Sequence, residues 1–179
     1  HDALPISFND MGVALFDERA SLEERVAKRT AELAKPNKKL EILSNLDGLT
    51  GLPNRRKFDG FYRSAWQQAC DSAQPLAVIL LDVDWFKDFN DRYGHQAGDD
   101  CLRRLARILE LIPGNSQELV ARYGGEEFVV VLPGLDGESA LAAAQNIGKL
   151  VAQAGIPHEK SQSGAVVTVS AGVAVWNPA

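Results

Sequence analysis

The chain has 179 residues, of which 45% are apolar, and it carries a formal net charge of −5. Its length suits one domain plus an appendage, and no Lys/Arg cluster is dense enough to suggest nucleic-acid binding. The two cysteines, Cys70 and Cys101, form no Cys-x-x-Cys or His/Cys cluster, so zinc is not predicted and both are interpreted as reduced, buried thiols of a cytosolic domain. No apolar run approaches the roughly 20 residues that a membrane-spanning helix requires.

The N-terminal part of the chain is predicted to lie outside the main domain. Residues 1–6 fit no pattern that follows and are interpreted as a non-native artefact at the front of a gene fragment. Residues 7–46 are interpreted as the end of a HAMP module, which residues 8–15 resemble, followed by a helical linker. In residues 17–46 an apolar heptad seam predicts a coiled-coil stalk, which Pro36 weakens. The alternative is a solvated single helix.

The main domain is predicted to span residues 47–179. It begins with a segment rich in turn residues, Asp-Gly-Leu-Thr-Gly-Leu-Pro-Asn-Arg-Arg at 47–56. Two glycines, a proline and an asparagine predict a loop there, and the pattern that follows predicts a helix over 55–69.

A continuous apolar run at residues 75–84 predicts a buried central strand. It ends in Asp82 and Asp84, which share a face because side chains alternate along a strand. Carboxylates at the end of a buried strand are costly unless they meet a cation, so one or both are candidate metal ligands. Residues 85–87 then turn the chain, which leads into a helix predicted over 95–111.

Two short apolar runs flank the sequence Arg-Tyr-Gly-Gly-Glu-Glu-Phe at residues 122–128. They predict a β-hairpin over 119–132 with a Gly-Gly turn, since glycine accepts the positive φ of a tight turn. The adjacent carboxylates of Glu126 and Glu127 could hold a hard cation such as Mg²⁺ or act as a base. A solvated acidic hairpin is the alternative, but the acidic strand end at Asp82 favours the functional interpretation.

The remainder predicts a helix over 138–154, a polar loop over 155–164 in which His158 is given no role, and a strand over 166–175. Strands that alternate with helices, together with one hairpin, predict an α+β fold with helices packed on a central sheet.

Several motifs together resemble the GGDEF family, the diguanylate cyclases that condense two GTP into cyclic di-GMP. They are Arg-Tyr-Gly-Gly-Glu-Glu-Phe, Leu-Asp-Val-Asp-x-Phe-Lys-x-x-Asn-Asp-x-x-Gly-His at 81–95, the entry segment at 47–56, and Ser-x-Gly-Val-Ala at 170–174. The resemblance implies a ferredoxin-like palm, an α/β sandwich whose central, mostly antiparallel sheet is flanked by helices, with an N-terminal helical stalk. It also implies truncation at the C-terminus, because family members continue with a helix that carries two phosphate-binding side chains.

By this resemblance Mg²⁺ or Mn²⁺ is held by Asp82, the backbone carbonyl of Val83, Glu126 and Glu127. Glu126 is predicted to be the catalytic base, although the two glutamates could exchange roles. The resemblance assigns the phosphates to the turn that contains Lys87. It assigns the guanine base to the side chains of Asn90 and Asp99. A carboxylate can accept from both N–H groups on the Watson–Crick edge of guanine, and adenine has no such pair. The predicted substrate-binding residues are Trp85, Phe86, Lys87, Asn90, Asp99, Gly124 and Gly125.

The resemblance also carries expectations about regulation and setting. His95 is expected to be structural, and no inhibitory product site is predicted because Asn115 and Glu118 depart from the family's Arg-x-x-Asp pattern. One GTP per domain implies a homodimer through the GGDEF face and the helical stalk. The domain is expected in the cytoplasm, with a sensor or transmembrane region upstream in a parent protein of the bacterial inner membrane.

Two competing functions are retained. One is a catalytically silent GTP-binding domain that regulates a neighbour, against which the retained motif residues argue. The other is a different nucleotidyl cyclase of the same palm, and Asn90 and Asp99 argue against a user of ATP.

Overall fold

The computed structural model describes residues 45–178, so the predicted artefact and HAMP end, and all but the last two residues of the predicted stalk, lie outside the described residues. The helices and strands follow in chain order: α1 (Arg55–Ser72), β1 (Leu76–Val83), α2 (Phe86–Tyr93), α3 (His95–Leu109), β2 (Leu119–Gly124), β3 (Glu127–Pro133), α4 (Gly137–Gln153) and β4 (Val169–Trp176). None of the helices within this part of the chain is long and apolar enough to cross a membrane.

The four strands form one sheet in the order β2-β3-β1-β4, and every neighbouring pair is antiparallel. Helices flank the sheet, as the α+β prediction required, so the predicted fold class is confirmed. β1 lies in the middle and pairs on both sides, which explains why its sequence is almost continuously apolar.

The core has one apolar layer on each face of the sheet, because alternate residues of a strand point to opposite sides. Ile79 and Leu81 of β1 pack with Phe128 of β3 in the larger layer, which includes residues of α3 and α4. Leu76 of β1 packs with Val131 of β3 in the smaller layer, which α1 completes. The sheet is therefore held rigidly from both sides, and its β1 and β3 strand ends have fixed positions.

Three local predictions were wrong, and one helix had not been predicted. The residues before the predicted helix 95–111 form a separate helix, α2, because Gly94 takes φ +87° and breaks the path to α3. The hairpin turn is Gly125–Glu126, with φ +54° at Gly125, and Gly124 belongs to β2. β4 begins at Val169, because Val166 instead forms an isolated bridge with Pro157. Cys70 is exposed, whereas Cys101 is buried as predicted.

The entry segment is tied to the hairpin through Arg122. The Arg122 guanidinium donates to Asp47 at 2.9 Å, and its backbone N–H donates to the Pro53 carbonyl at 2.8 Å. Thr50 also donates to Asp47, from its backbone N–H at 2.9 Å and from its hydroxyl at 2.7 Å. Burial acts to raise the pKa of Asp47, but the hydrogen bonds from Thr50 and Arg122 outweigh it and hold that pKa below its usual value.

We expect Asp47→Asn to lower the free energy of unfolding by about 1–2 kcal/mol at pH 7, because it weakens a half-buried, charge-assisted contact. Since the folded-state pKa of Asp47 is lowered, this contribution is fully present above the unfolded pKa and is lost as pH falls through the folded value. Urea titrations at pH 7 and below about pH 4 measure the difference.

The matched control is Asp100→Asn, which removes a solvent-exposed ion pair with Arg103. Exposed pairs of this kind contribute about 0.5 kcal/mol or less. Equal losses in the two variants at pH 7 would show that the Asp47–Arg122 contact adds no stability of its own.

Candidate active site

The acidic ends of β1 and β3 lie side by side. Asp82 is directly opposite Glu127 in the antiparallel register. Burial raises the pKa of Asp82, and the negative charges of Glu126, Glu127 and Asp84 raise it further. A bound cation would relieve this repulsion, so the acidic strand end is a candidate metal site.

Asp84 is held differently from Asp82. Its two carboxylate oxygens accept hydrogen bonds from the hydroxyls of Thr168 and Ser170, each at 2.6 Å. Its backbone N–H also donates to the Thr168 carbonyl at 3.0 Å. Since both Asp84 oxygens already have donors, Asp82 is the better candidate for a ligand to an added cation.

The hairpin gives the two glutamates different surroundings. Glu126 lies in the turn and lines a cleft, whereas Glu127 begins β3 beside Asp82. Arg122 donates from Nε to the Gly125 carbonyl at 2.9 Å and so braces the turn that carries Glu126. The structure thus separates two side chains that the sequence left interchangeable.

The cleft has a volume of about 510 Å³ and lies between the hairpin turn and helices α2 and α3. It brings together six predicted site residues from three parts of the chain, namely α2, α3 and the hairpin turn. Three other predicted residues lie at the adjoining strand ends, namely Asp82, Val83 and Glu127. The remaining two, Trp85 and Gly124, do not line the cleft. The lining residues are Phe86, Lys87, Asn90, Asp91, His95, Asp99, Leu102, Arg122, Gly125 and Glu126.

A larger depression of about 630 Å³ runs along α1, where it is lined by residues of that single helix such as Arg63, Gln67 and Asp71. A binding site is normally built by several elements that converge on a concave surface. We therefore place the candidate site in the smaller cleft, where the hairpin and two helices meet.

Asn90 lines the cleft and carries an unsatisfied polar atom. Its Oδ1 is buried and has no hydrogen-bond partner among residues 45–178. Gly98 of α3 lies against it so closely that a Cβ there would overlap Oδ1 and come within 3.2 Å of the Phe86 ring. A buried amide oxygen without a donor is costly, so a ligand that donates to Asn90 recovers that cost.

The acidic cluster is a candidate magnesium site. Among the described residues, no three His, Cys, Asp or Glu side chains are arranged as a ready-made metal cage. Mg²⁺ bound with a nucleotide typically uses only one or two carboxylates and takes its other ligands from phosphates and water. The hard oxygen donors of Asp82 and its neighbours, with their unneutralised charge, fit that arrangement.

We expect Asp82→Asn to raise the melting temperature of the metal-free domain by about 2 °C at pH 7, because it removes one of several clustered negative charges. Since the folded-state pKa of Asp82 is raised, its ionised form opposes folding above that pKa, and this penalty disappears as pH falls below the unfolded value. Thermal scans at pH 7 and pH 3, with and without Mg²⁺, check this. Stabilisation by Mg²⁺ in the variant equal to that in the parent would exclude Asp82 as a ligand.

Sequence reasoning missed two residues of the site region. Arg122 braces the turn and lines the cleft, and its position inside the recognised motif was the available signal. His158 is only 1% exposed although it lies in a polar loop, and its sequence surroundings carry no periodicity that could have revealed this.

The positions that depart from the Arg-x-x-Asp pattern interact with each other. Asn115 Nδ2 donates to Glu118 at 2.8 Å, and the Gly114 backbone N–H donates to the same carboxylate at 2.7 Å. The Glu118 carboxylate is thus engaged within its own loop.

An antiparallel four-stranded sheet with flanking helices, an acidic strand end and a Gly-Gly-Glu-Glu hairpin beside a cleft defines a palm of the nucleotide-cyclase type. The family model described as "Diguanylate cyclase, GGDEF domain" matches residues 44–179. The chain belongs to this family, as the sequence resemblance predicted.

Related proteins agree with this assignment. The diguanylate cyclase DgcZ of Escherichia coli strain K12 is 42% identical over 136 residues, which is 75% of this chain and 44% of that protein. The bifunctional diguanylate cyclase/cyclic di-GMP phosphodiesterase MucR of Pseudomonas aeruginosa is 35% identical over 166 residues, which is 92% of this chain and 23% of that protein. The chain thus spans less than half the length of these curated relatives.

Solved structures show the same fold. The coiled coil and GGDEF domain of DgcB from Caulobacter crescentus, in complex with c-di-GMP, superposes with a TM-score of 0.71 at 32% identity, covering 88% of this chain and 84% of that one. The active GGEEF domain of a diguanylate cyclase from Vibrio cholerae gives 0.61 at 33% identity, covering 70% and 78%.

Proposed function

We propose that this chain is a diguanylate cyclase that condenses two GTP into cyclic di-GMP and pyrophosphate. The observation that supports it most directly is the cleft that Glu126, Asn90 and Asp99 line together, with the buried Asn90 oxygen lacking a donor. Family membership supplies the reaction class, and this cleft supplies groups suited to it. As in nucleotidyl transfer generally, the protein contributes to catalysis mostly by positioning the substrates and stabilising charge.

Guanine is assigned to the end of the cleft formed by α2 and α3. Asp99 accepts from the two N–H groups on the Watson–Crick edge, and the unpaired Oδ1 of Asn90 accepts a further hydrogen bond. A site whose acceptors are left unsatisfied by adenine discriminates against ATP, so GTP is the proposed substrate.

The phosphates are assigned to residues 85–87, where the turn before α2 presents backbone N–H groups and Lys87 adds a positive charge. Helix N-termini favour anions for this reason. Gly124 and Gly125 carry no side chains at the hairpin, and an added Cβ at Gly125 would contact nothing within 4 Å, so the triphosphate has room to approach there.

Glu126 is proposed as the base that accepts the proton of the attacking ribose 3′-hydroxyl, since it faces the cleft and lies near the acidic strand end. Asp82, Glu127 and the Val83 carbonyl, with Glu126 also in reach, are the groups proposed to hold Mg²⁺ or Mn²⁺. When bound, the metal neutralises charge on the phosphates.

The test is incubation of the chain with GTP and Mg²⁺, followed by chromatographic detection of cyclic di-GMP. Product formation supports the cyclase, and an ATP competition assay measures base selectivity. GTP binding without product would favour the silent, regulatory alternative.

The domain is proposed to act as a homodimer, because each cleft has groups for one GTP while the product contains two. We also propose that a sensor lies upstream in a membrane-bound parent protein, and that the domain binds no nucleic acid. With Asn115 and Glu118 bonded to each other, no inhibitory product site is proposed there. Strong inhibition by added cyclic di-GMP that is relieved by Glu118→Ala would contradict this.

A further inference from the structure

His158 is the one charged or polar residue among residues 45–178 that is fully buried, at 1% exposure. Its Nε2 donates to the Trp85 carbonyl at 3.1 Å. Because a carbonyl can only accept, Nε2 must carry the proton, and Nδ1 then has no partner among the described residues. Burying Nδ1 without a partner costs free energy, and the hydrogen bond from Nε2 to Trp85 is the contact that offsets this cost.

The Trp85 carbonyl occupies a position of special geometry. Trp85 has φ +56° and ψ +30°, a left-handed conformation that a bulky residue adopts only when its surroundings enforce it. It is the N-cap of α2 but provides no side-chain cap. Its conformation sets the direction of the backbone N–H groups at residues 85–87, which are the groups proposed to receive the phosphates.

His158 belongs to a strap, defined here as residues 156–163, that contacts this turn and α2. Ser163 accepts from the Trp85 indole N–H at 3.2 Å. Glu159 pairs with Arg92 at 2.8 Å, and its backbone N–H donates to the Tyr93 hydroxyl at 3.0 Å. The strap thus forms hydrogen bonds with both the N-terminal and the C-terminal end of α2.

The strap is itself anchored in the core. The Val167 backbone N–H donates to the Ile156 carbonyl at 2.8 Å, and both residues are buried. The His158 ring packs edge-to-face on Phe89 with ring centroids 5.2 Å apart. The imidazole is therefore a rigid donor held between the core and the Trp85 carbonyl.

We propose that His158 is a positioning residue for the triphosphate: its Nε2–H holds Trp85 in the left-handed conformation that directs the N–H groups of residues 85–87 at the phosphates. It touches no substrate and acts only through the turn. This inference rests on the proposed function, because it assumes that the turn receives GTP. It predicts that loss of the Nε2 donor weakens binding of the triphosphate and leaves recognition of guanine unchanged.

Three substitutions separate the donor from the packing. His158→Phe keeps a ring against Phe89 but has no donor. In His158→Gln the amide nitrogen reaches the depth of Nε2, whereas in His158→Asn the amide nitrogen reaches only the depth of Nδ1. Gln and Asn are chemically alike, so a difference between them reports the position of the donor.

Calorimetry on the full chain measures affinity for α,β-methylene GTP, which cannot release pyrophosphate, and for guanosine. We expect His158→Phe and His158→Asn to weaken binding of the GTP analogue about tenfold with guanosine affinity unchanged, and His158→Gln to stay within about twofold of the parent. Ile147→Val, a remote core variant, controls for general destabilisation through its melting temperature.

Equal affinity of parent, Phe and Asn variants for the GTP analogue overturns the proposal, as does an equal loss for guanosine and for the analogue. If the Phe variant does not fold, the comparison of Gln with Asn decides, and equal behaviour of those two overturns the proposal. A parent chain that binds no GTP analogue overturns the proposed function and this inference with it. If the parent binds the GTP analogue normally and all three variants have the same affinity as one another, the inference alone is overturned.

Discussion

Replacement of Glu126 by Gln is expected to reduce the rate of cyclic di-GMP formation by about 10³-fold while GTP affinity changes only a few-fold. The amide keeps the size of the side chain but cannot accept the 3′-hydroxyl proton, and general-base catalysis contributes about 10²–10⁴-fold to such reactions. Single-turnover rates and equilibrium binding of GTP, measured on the same preparation, separate the two effects.

The matched control is Glu110→Gln, at the exposed C-terminal end of α3 and away from the cleft. It removes the same charge and should retain the parental rate. A Glu126→Gln rate within tenfold of the parent would remove Glu126 from the role of base. In that case a large loss in Glu127→Gln would transfer the role to its neighbour.

Gly98→Ala is expected to weaken GTP binding by about 10- to 100-fold without unfolding the domain. Its Cβ would overlap the buried Oδ1 of Asn90 and press on Phe86, so the Asn90 amide must leave its position in the cleft. The loss corresponds to one or two misplaced hydrogen bonds to the base. Titration with GTP and with guanosine should show the same fold-change, because the defect concerns the guanine end.

Gly60→Ala is the control, since Gly60 also lies inside a helix but an added Cβ there meets nothing within 4 Å. The intrinsic helix propensity changes by the same amount in both substitutions, about 0.5–1 kcal/mol, so a difference in their GTP affinities isolates the contact with Asn90. Parental affinity in Gly98→Ala would show that Asn90 does not bind the base.

Much of the fold was accessible from sequence because its signals are local. The apolar run of β1 and the two runs around the hairpin predicted their strands within one or two residues. The helix predicted over 138–154 is α4, Gly137–Gln153. The confirmed family assignment also came from motifs, whose residue types and spacing are contained entirely in the sequence.

The details of turns required tertiary contacts. The sequence indicated a Gly-Gly turn, but the register of β1 with β3 places Glu127 opposite Asp82 and so moves the turn to Gly125–Glu126. That shift of one residue separates the surroundings of the two glutamates. Strand register depends on packing of the whole sheet, which no local pattern reports.

The sequence by itself determined the elements, the family and the set of candidate residues, because periodicity and motif spacing are properties of a linear chain. Only the tertiary structure decided which polar groups are satisfied. Asp84 accepts hydrogen bonds from two hydroxyl groups in and next to β4, whereas the buried Oδ1 of Asn90 has no donor among the described residues. His158 is buried against Trp85, 73 residues away in the chain. Such long-range pairings follow from how the helices and loops pack on the sheet, and this packing decides the geometry of the site.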